Sequence, residues 1–190
     1  MRTRVLRIVG VVCVALLLWF LIGALSAQRA CAHDPRFACS PRSAGDSIRI
    51  ADPEKSWAFY GRLAISQSDT YAFEVNHPIV VPISLLVERA DAANPARPLL
   101  HVVSVDGKSL ALIDFRKSVT FYEPFSGIHY LSTPQRELSL RSGAYIATVT
   151  MRGGSAPQRY VLAFGEAERF GIGEIPYVLG AIYRVKTRGY

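Results

Sequence analysis

Trp57-Ala58-Phe59-Tyr60-Gly61-Arg62-Leu63-Ala64-Ile65 sets Trp57, Phe59, Gly61, Leu63 and Ile65 in alternation. Past Ser68-Asp69, Thr70-Tyr71-Ala72-Phe73-Glu74-Val75 puts Tyr71, Phe73 and Val75 on one face. A period of two with β-branched and aromatic residues is the signature of a half-buried strand, and the break between the two runs reads as a turn. The same texture continues outward. Ile79 to Val87 is apolar on both faces and contains Pro82, which cannot donate to a ladder and so predicts an edge or a bulge. Leu99 to Val105 and Ser109 to Phe115 flank Asp106-Gly107, the strongest short hairpin signal. Val119 to Tyr122, Glu137 to Leu140, Tyr145 to Thr150 and Tyr160 to Phe164 supply further strands.

Helical periodicity is absent from this region. The pattern predicts an all-β domain, a β-sandwich or jelly roll of about eight or nine strands, over residues 48–170. Residues 28–47 mix Ala, Pro, Arg, Ser and Gly without period and read as a linker.

The N-terminus differs in kind. Arg2, Arg4 and Arg7 precede an uncharged apolar run from Ile8 to Leu25, which predicts one transmembrane helix within residues 1–27, its N-terminus in the cytoplasm. A cleaved secretory signal has the same charge order, and small residues suited to cleavage follow at Ala24-Leu25-Ser26 and Ala30-Cys31-Ala32. Either reading puts the β domain outside the cytoplasm. In that oxidising setting Cys31 and Cys39 are expected to close a small disulfide loop, with two free thiols as the alternative; Cys13 reads as apolar filler.

Charge excludes one class of partner. The chain carries 22 Lys and Arg against 15 Asp and Glu, but seven of the cations lie at its two ends, so residues 33–183 hold 15 of each sign. A nucleic-acid-binding domain would gather its cations on the folded body. Basic residues beside apolar segments instead suit an anionic lipid surface. The tail, residues 171–190, fits this: Ile175, Val178, Leu179 and Ile182 share one helical face and Arg184, Lys186 and Arg188 follow. Such a segment predicts membrane contact as an interfacial helix; a helix or a final strand docked on the sandwich remains open.

Catalytic signals are sparse. His33, His77, His101 and His129 are scattered, no Gly-x-Ser-x-Gly occurs, and no cysteine or histidine spacing suggests a metal. Phe170-Gly171-Ile172-Gly173 lacks the strand-to-helix setting of a phosphate loop, so no cofactor is expected. Glu166 and Glu168, two apart, are the candidates for a less favoured hydrolase reading; a solvated strand end accounts for them equally. The distinctive cluster is aromatic. Phe121, Tyr122, Phe125, His129 and Tyr130 surround one loop, and aromatic side chains displayed at the end of a sandwich make binding surfaces, although packing in the core uses the same residue types.

Asp69-Thr70-Tyr71-Ala72-Phe73-Glu74-Val75, the turn and strand of Leu140-Arg141-Ser142-Gly143-Ala144-Tyr145, and the closing Tyr160-Val161-Leu162 together resemble the bacterial pre-peptidase C-terminal type of β-sandwich, over roughly Trp57 to Gly165. The resemblance implies a non-catalytic accessory domain of secreted or surface proteins. This chain lacks a protease domain and carries an apolar segment and an extra tail instead. The expected function is a membrane-anchored binding or accessory subunit with a membrane or periplasmic protein partner; the alternative is a scaffold holding an assembly at the membrane.

Overall fold

The computed structural model describes residues 33–38, 46–89, 97–123, 127–154, 156–169 and 175–187. The apolar run 8–25, Cys31, Cys39, Phe125 and Arg188 lie outside them. Among the described residues no helix is long and apolar enough to cross a membrane.

Residues 33–190 form one compact unit, and among its described residues there are twelve strands, more than the eight or nine expected: β1 (Asp34–Phe37), β2 (Ile48–Ile50), β3 (Trp57–Leu63), β4 (Ser68–Val75), β5 (Ile79–Glu88), β6 (Arg97–Ser104), β7 (Ser109–Ile113), β8 (Val119–Glu123), β9 (Ile128–Ser132), β10 (Arg136–Leu140), β11 (Gly143–Arg152) and β12 (Gln158–Phe164), with a 3-10 turn at Phe115–Lys117 and the helix α1 (Ile175–Thr187) after the last strand. The extra strands are short, and one corrects the reading of residues 28–47 as a linker. Asp34–Phe37 pairs parallel with β3, Asp34 opposite Trp57.

Two sheets result. The seven-stranded sheet runs β1-β3-β12-β5-β9-β8, with β10 also on β5; the five-stranded sheet runs β2-β4-β11-β6-β7. Both are mixed, because β1 on β3 and β2 on β4 are parallel. Their facing side chains make one core. Phe59, Leu63, Ile83, Leu85, Leu162 and Phe164 from the larger sheet meet Tyr71, Phe73, Leu100, Val102, Ala147 and Val149 from the smaller. The rings of Phe73 and Phe164 cross edge to face at 5.0 Å and those of Phe59 and Tyr71 lie 5.0 Å apart, in the range favourable for aromatic pairs.

A polar tie runs through this core. Tyr160 on β12 is fully buried, and its hydroxyl donates to Asp69 Oδ2 of β4 at 2.5 Å. Since that proton is committed, the 2.7 Å bond between the Tyr71 and Tyr160 hydroxyls has Tyr71 as donor. Burial, then the neighbouring Tyr71 and Asp69, push the Tyr160 hydroxyl well above its ordinary pKa. The ring of Tyr160 lies over its register partner Gly61, where an added Cβ would strike the ring carbons. Gly61 interrupts the apolar alternation of β3 because that space is already filled.

Pro82 is not at an edge. It sits inside β5, opposite Glu137 of β10 on one side, and its carbonyl accepts from Gly165 N at 2.9 Å on the other. In an antiparallel pair the N and O of one residue face the same neighbour, so the missing donor falls where β12 leaves the sheet. Gly165 makes that exit at φ +74, with the Lys55 carbonyl filling the place of a Cβ. The opposite margin of β5 is shared: β10 pairs Ile79–Ile83, β9 pairs Leu86–Glu88, and Thr133 exchanges hydrogen bonds with Leu85 between them.

The tail resolves as a docked helix. Val185 of α1 joins Ala58, Tyr60, Leu86, Tyr130 and Val161 in a second cluster on the outer face of the seven-stranded sheet, with Phe37 packed against it. Ala181 and Val185 are buried, Val178 and Ile182 half-buried, and Leu179 is 62% exposed. The inward stripe is therefore displaced from the Ile175–Val178–Leu179–Ile182 face expected from the sequence. Arg184 over the Phe37 ring at 4.4 Å and Arg36 over Tyr177 at 4.8 Å clamp the helix to β1.

Two substitutions test the core. Gly61→Ala is expected to destabilise by about 1–3 kcal/mol through overpacking against Tyr160. Tyr160→Phe is expected to cost about 1–3 kcal/mol by removing the buried hydroxyl that bonds both Asp69 and Tyr71. Denaturant unfolding of the full chain checks both, and a midpoint unchanged in either variant contradicts the assignment.

Candidate functional site

β8 and β9 form a hairpin at one margin of the seven-stranded sheet, with Phe121 opposite Tyr130 and Tyr122 opposite His129. Directly opposed residues share a face, so the register divides the predicted aromatic cluster. Tyr122, 52% exposed, stands beside exposed His129 with ring centroids 4.9 Å apart. Phe121, 43% exposed, and Val119, 61% exposed, lie on the other face. The assignment of Tyr130 to a binding surface is corrected: it is fully buried in the outer cluster that Val185 of α1 joins. The reason is position. β9 is one strand nearer the sheet centre and is packed from both faces, Tyr130 outward and Leu131 against the main core, whereas β8 extends past the cover on either side.

A polar cluster that the sequence did not signal joins β1 to the segments flanking β3 and β12. Asp34 is fully buried and binds Lys55 Nζ at 2.8 Å and Arg36 Nη2 at 3.0 Å. The Lys55 ammonium and the Arg36 guanidinium also lie 4.6 Å and 5.2 Å from the centroid of Trp57. Nearby, Ser56 Oγ is 2.6 Å from His33 Nδ1. A serine on a histidine is how a nucleophilic site begins, but Ser56 is only 2% exposed, and its backbone is tied to Asp34 N at 2.8 Å and Ala167 O at 3.0 Å. The pair fastens β1 to the body. Arg169 closes the same end, binding Asp52 and Glu54 at 2.9 and 3.3 Å. Nothing local marks this cluster, because its members are distant in the chain and buried charge is a property of the packed state.

Glu166 and Glu168, the hydrolase candidates, are both exposed just after β12. Neither lines the cleft described below, and the charge of Glu168 opposes the burial effect at His33. At the end of the sandwich away from the β8–β9 loop, the β4–β5, β6–β7 and β10–β11 turns border an open cleft of about 950 Å³. Val80 and Val105, 57% and 65% exposed, stand among its lining with Asp106, Lys108 and Arg141. The Ser104 hydroxyl, bonded to Asp106, holds that carboxyl below its ordinary pKa. Tyr145 supports the cleft floor by donating to Arg141 O at 2.8 Å and accepting from Arg141 N at 3.2 Å, a brace of the kind found at strand corners in sandwiches. His77 precedes this region and His101 bonds Ser109 across the β6–β7 ladder at 2.9 Å. Among the described residues no group of three or more His, Cys, Asp or Glu is gathered as a metal site would need.

No family model matches the chain, and no curated protein does. Among solved structures it is similar to the pre-peptidase C-terminal domain of collagenase from Bacillus anthracis, at 16% identity over 65% of this chain and 97% of that one, with a TM-score of 0.40. It is also similar to a family 6 carbohydrate-binding module, at 13% identity over 72% of this chain and 100% of that one, with a TM-score of 0.32. Both likenesses are weak. The first is to the same kind of domain that the Asp69, Tyr145 and Tyr160 motifs resemble.

The His33 contact makes a pH prediction. Burial lowers the His33 pKa below 6.5, overcoming the opposing fields of Glu123 and Glu168. The unfolded chain then binds a proton at a pH where the folded chain does not, so stability present above 6.5 is lost as pH falls from there toward the folded value. Unfolding midpoints at pH 7.5 and pH 5.5 should differ in that direction, and His33→Asn should flatten the difference. A midpoint that rises on acidification would contradict the buried neutral histidine.

Proposed function

We propose that this chain is a non-catalytic binding subunit, held at the outer side of a membrane by its apolar segment 8–25 and engaging a protein partner through the β8–β9 hairpin. The observation that carries the reading is the hairpin itself. Tyr122 and His129 stand side by side and exposed on a ladder, and aromatic residues held in this way supply contact area with little conformational entropy to lose. The body around them carries no net charge, which favours recognition by shape and aromatic contact over electrostatic steering. The N-terminal Arg2, Arg4 and Arg7 ahead of the apolar run support an orientation with the sandwich outside the cytoplasm.

Crosslinked co-purification of the full chain from its native membrane, with Tyr122→Ala and His129→Ala as variants, tests the reading. Tyr122→Ala should lose the captured partner while shifting unfolding by no more than about 0.5 kcal/mol, as for an ordinary surface change. Tyr130→Ala should behave oppositely, costing about 3–5 kcal/mol as a large buried side chain. Retention of the partner by Tyr122→Ala, with a large loss of stability, would make the hairpin structural and remove this site.

A second reading is favoured by α1. With Ala181 and Val185 turned to the sheet, Leu179 and Tyr183, 62% and 64% exposed, face away alongside exposed Arg184 and Lys186. An apolar strip edged with cations suits an anionic bilayer surface, and a domain held to the membrane through both ends of the chain would serve as a scaffold. Leu179→Glu with Tyr183→Glu should then weaken binding of the chain's folded domain to vesicles containing phosphatidylserine; unchanged binding would dismiss the scaffold.

A further inference from the structure

The margins of the two sheets are guarded unequally. β1 carries Pro35 and Arg36 and is clamped by α1. β2 is only three residues long, β7 lies beside a register shift at Val102/Val103, and β10 carries Arg136 and Glu137. Short strands, bulges, prolines and charges are the usual means of preventing edge-to-edge pairing. β8, five residues long, has no proline, bulge or charge along Val119-Thr120-Phe121-Tyr122, its one charge being Glu123 at its end, and every one of those four side chains is exposed.

Its backbone groups can be assigned a direction. His129 O accepts from Arg89 N at 2.9 Å, and Thr133 N donates to Leu85 O at 2.9 Å, so His129 and Leu131 turn their backbone groups to β5. The alternation of antiparallel ladders then turns Ile128, Tyr130 and Ser132 to β8, and Val119, Phe121 and Glu123 back to β9. Thr120 and Tyr122 present their N–H and C=O groups to the open margin.

We propose that β8 pairs antiparallel with β8 of a second copy, centred on Phe121, joining two seven-stranded sheets into one continuous sheet. In this register Thr120 of each copy faces Tyr122 of the other as a hydrogen-bonded pair, so every outward backbone group of the strand meets a partner. Centring the pair on Thr120 would instead require Ser118 N, which already donates to Phe115 O at 3.3 Å. Phe121 meets its twin across a non-hydrogen-bonded pair, the closer of the two cross-strand spacings. Charge favours the same direction. Exposed Lys117 precedes β8, Arg116 beside it being bound to Asp114 at 2.7 Å, and half-buried Glu123 ends the strand; antiparallel pairing sets the basic end of one strand beside the acidic end of the other, whereas parallel pairing would set like beside like. An isologous pair of this kind closes on itself and leaves no margin for further growth. It also brings two Tyr122–His129 faces next to each other. The inference goes beyond the partner-binding reading, since it uses the margin of β8 and not the faces of its rings.

Light scattering and sedimentation of the full chain in mild detergent, from about 1 to about 100 µM, should show the protein mass rising from one chain to two. A single-chain mass throughout overturns the proposal. Thr120→Pro removes an N–H that faces away from β9, so the fold should persist while dimer affinity falls by at least about tenfold. A dimer that survives this change unaltered, for example one made by the apolar segment, overturns the assignment to β8. Register is read by cysteine pairing with Cys13, Cys31 and Cys39 replaced by serine. Phe121→Cys should give an oxidised dimer and Val119→Cys should not, because residue 119 faces residue 123 of the other copy. Crosslinking at 119 equal to or greater than that at 121 overturns the register. If the chain stays single while Tyr122→Ala still abolishes partner capture, the dimer falls and the partner-binding reading stands.

Discussion

The Tyr160 hydroxyl is the point on which the two sheets agree. It crosses from β12 to donate to Asp69 on β4 and accepts a hydrogen bond from Tyr71, in a core otherwise built from aliphatic and aromatic contacts that have no direction. Hydrophobic burial would tolerate small slips of one sheet over the other; a hydrogen bond at 2.5 Å to a buried carboxylate does not. The cost of burying these polar groups is recovered only in one alignment, so they select it. Gly61 is the price of admission for the ring, and the Phe59–Tyr71 and Phe73–Phe164 contacts fall into place around it.

With the inner faces fixed, the outer face of the larger sheet becomes the remaining problem. Ala58, Tyr60, Leu86 and Val161 form a row that water would otherwise wet. α1 covers it through Ala181 and Val185, and β1 holds the helix through paired cation–aromatic contacts. β1 is in turn anchored by the Asp34–Lys55 ion pair and the Ser56–His33 bond. Burial raises the Tyr60 hydroxyl in this layer, with Glu123 and Tyr130 adding to the effect. Removing one partner from a buried ion pair costs more than the pair itself contributes, so helix, β1 and outer face stand or fall together.

Alternation revealed the strands whose physics is local. The inward faces of β3, β4 and β11 follow from sequence because a half-buried strand writes its pattern at period two, and Asp106-Gly107 turned the β6–β7 hairpin as its chemistry requires. The misreadings share a different cause. Pro82 looked like an edge residue because a lost donor is visible in sequence, while the departure of β12 at Gly165 that makes it harmless is not. β1 was hidden because its pairing partner lies far along the chain and its strand begins with a charge. On α1, the expected and observed faces share Val178 and Ile182; the choice between them fell to Ala181, too small to register in a pattern of large apolar residues. The aromatic cluster was legible as a cluster, but its division between Tyr122 and Tyr130 depends on which residue packs into the outer apolar cluster.

That division explains why the hairpin is suited to recognition. β9 is gripped on both faces, by the outer layer at Tyr130 and the main core at Leu131, and its ladder to β5 continues past Glu88 to Arg89. β8 is therefore held along one side by a strand that cannot move without opening the core, while its own side chains contribute nothing to that core. A loop presenting Tyr122 and His129 would have to be ordered at the moment of binding; a ladder has already ordered them during folding. The same rigidity leaves the outward N–H and C=O groups of Thr120 and Tyr122 in fixed positions, at the spacing a further strand requires. A surface that is both preorganised and unguarded is costly to maintain in a folded protein, because it invites indiscriminate pairing. Its persistence beside margins that are shortened, bulged or charged is the strongest physical argument that β8 has an occupant.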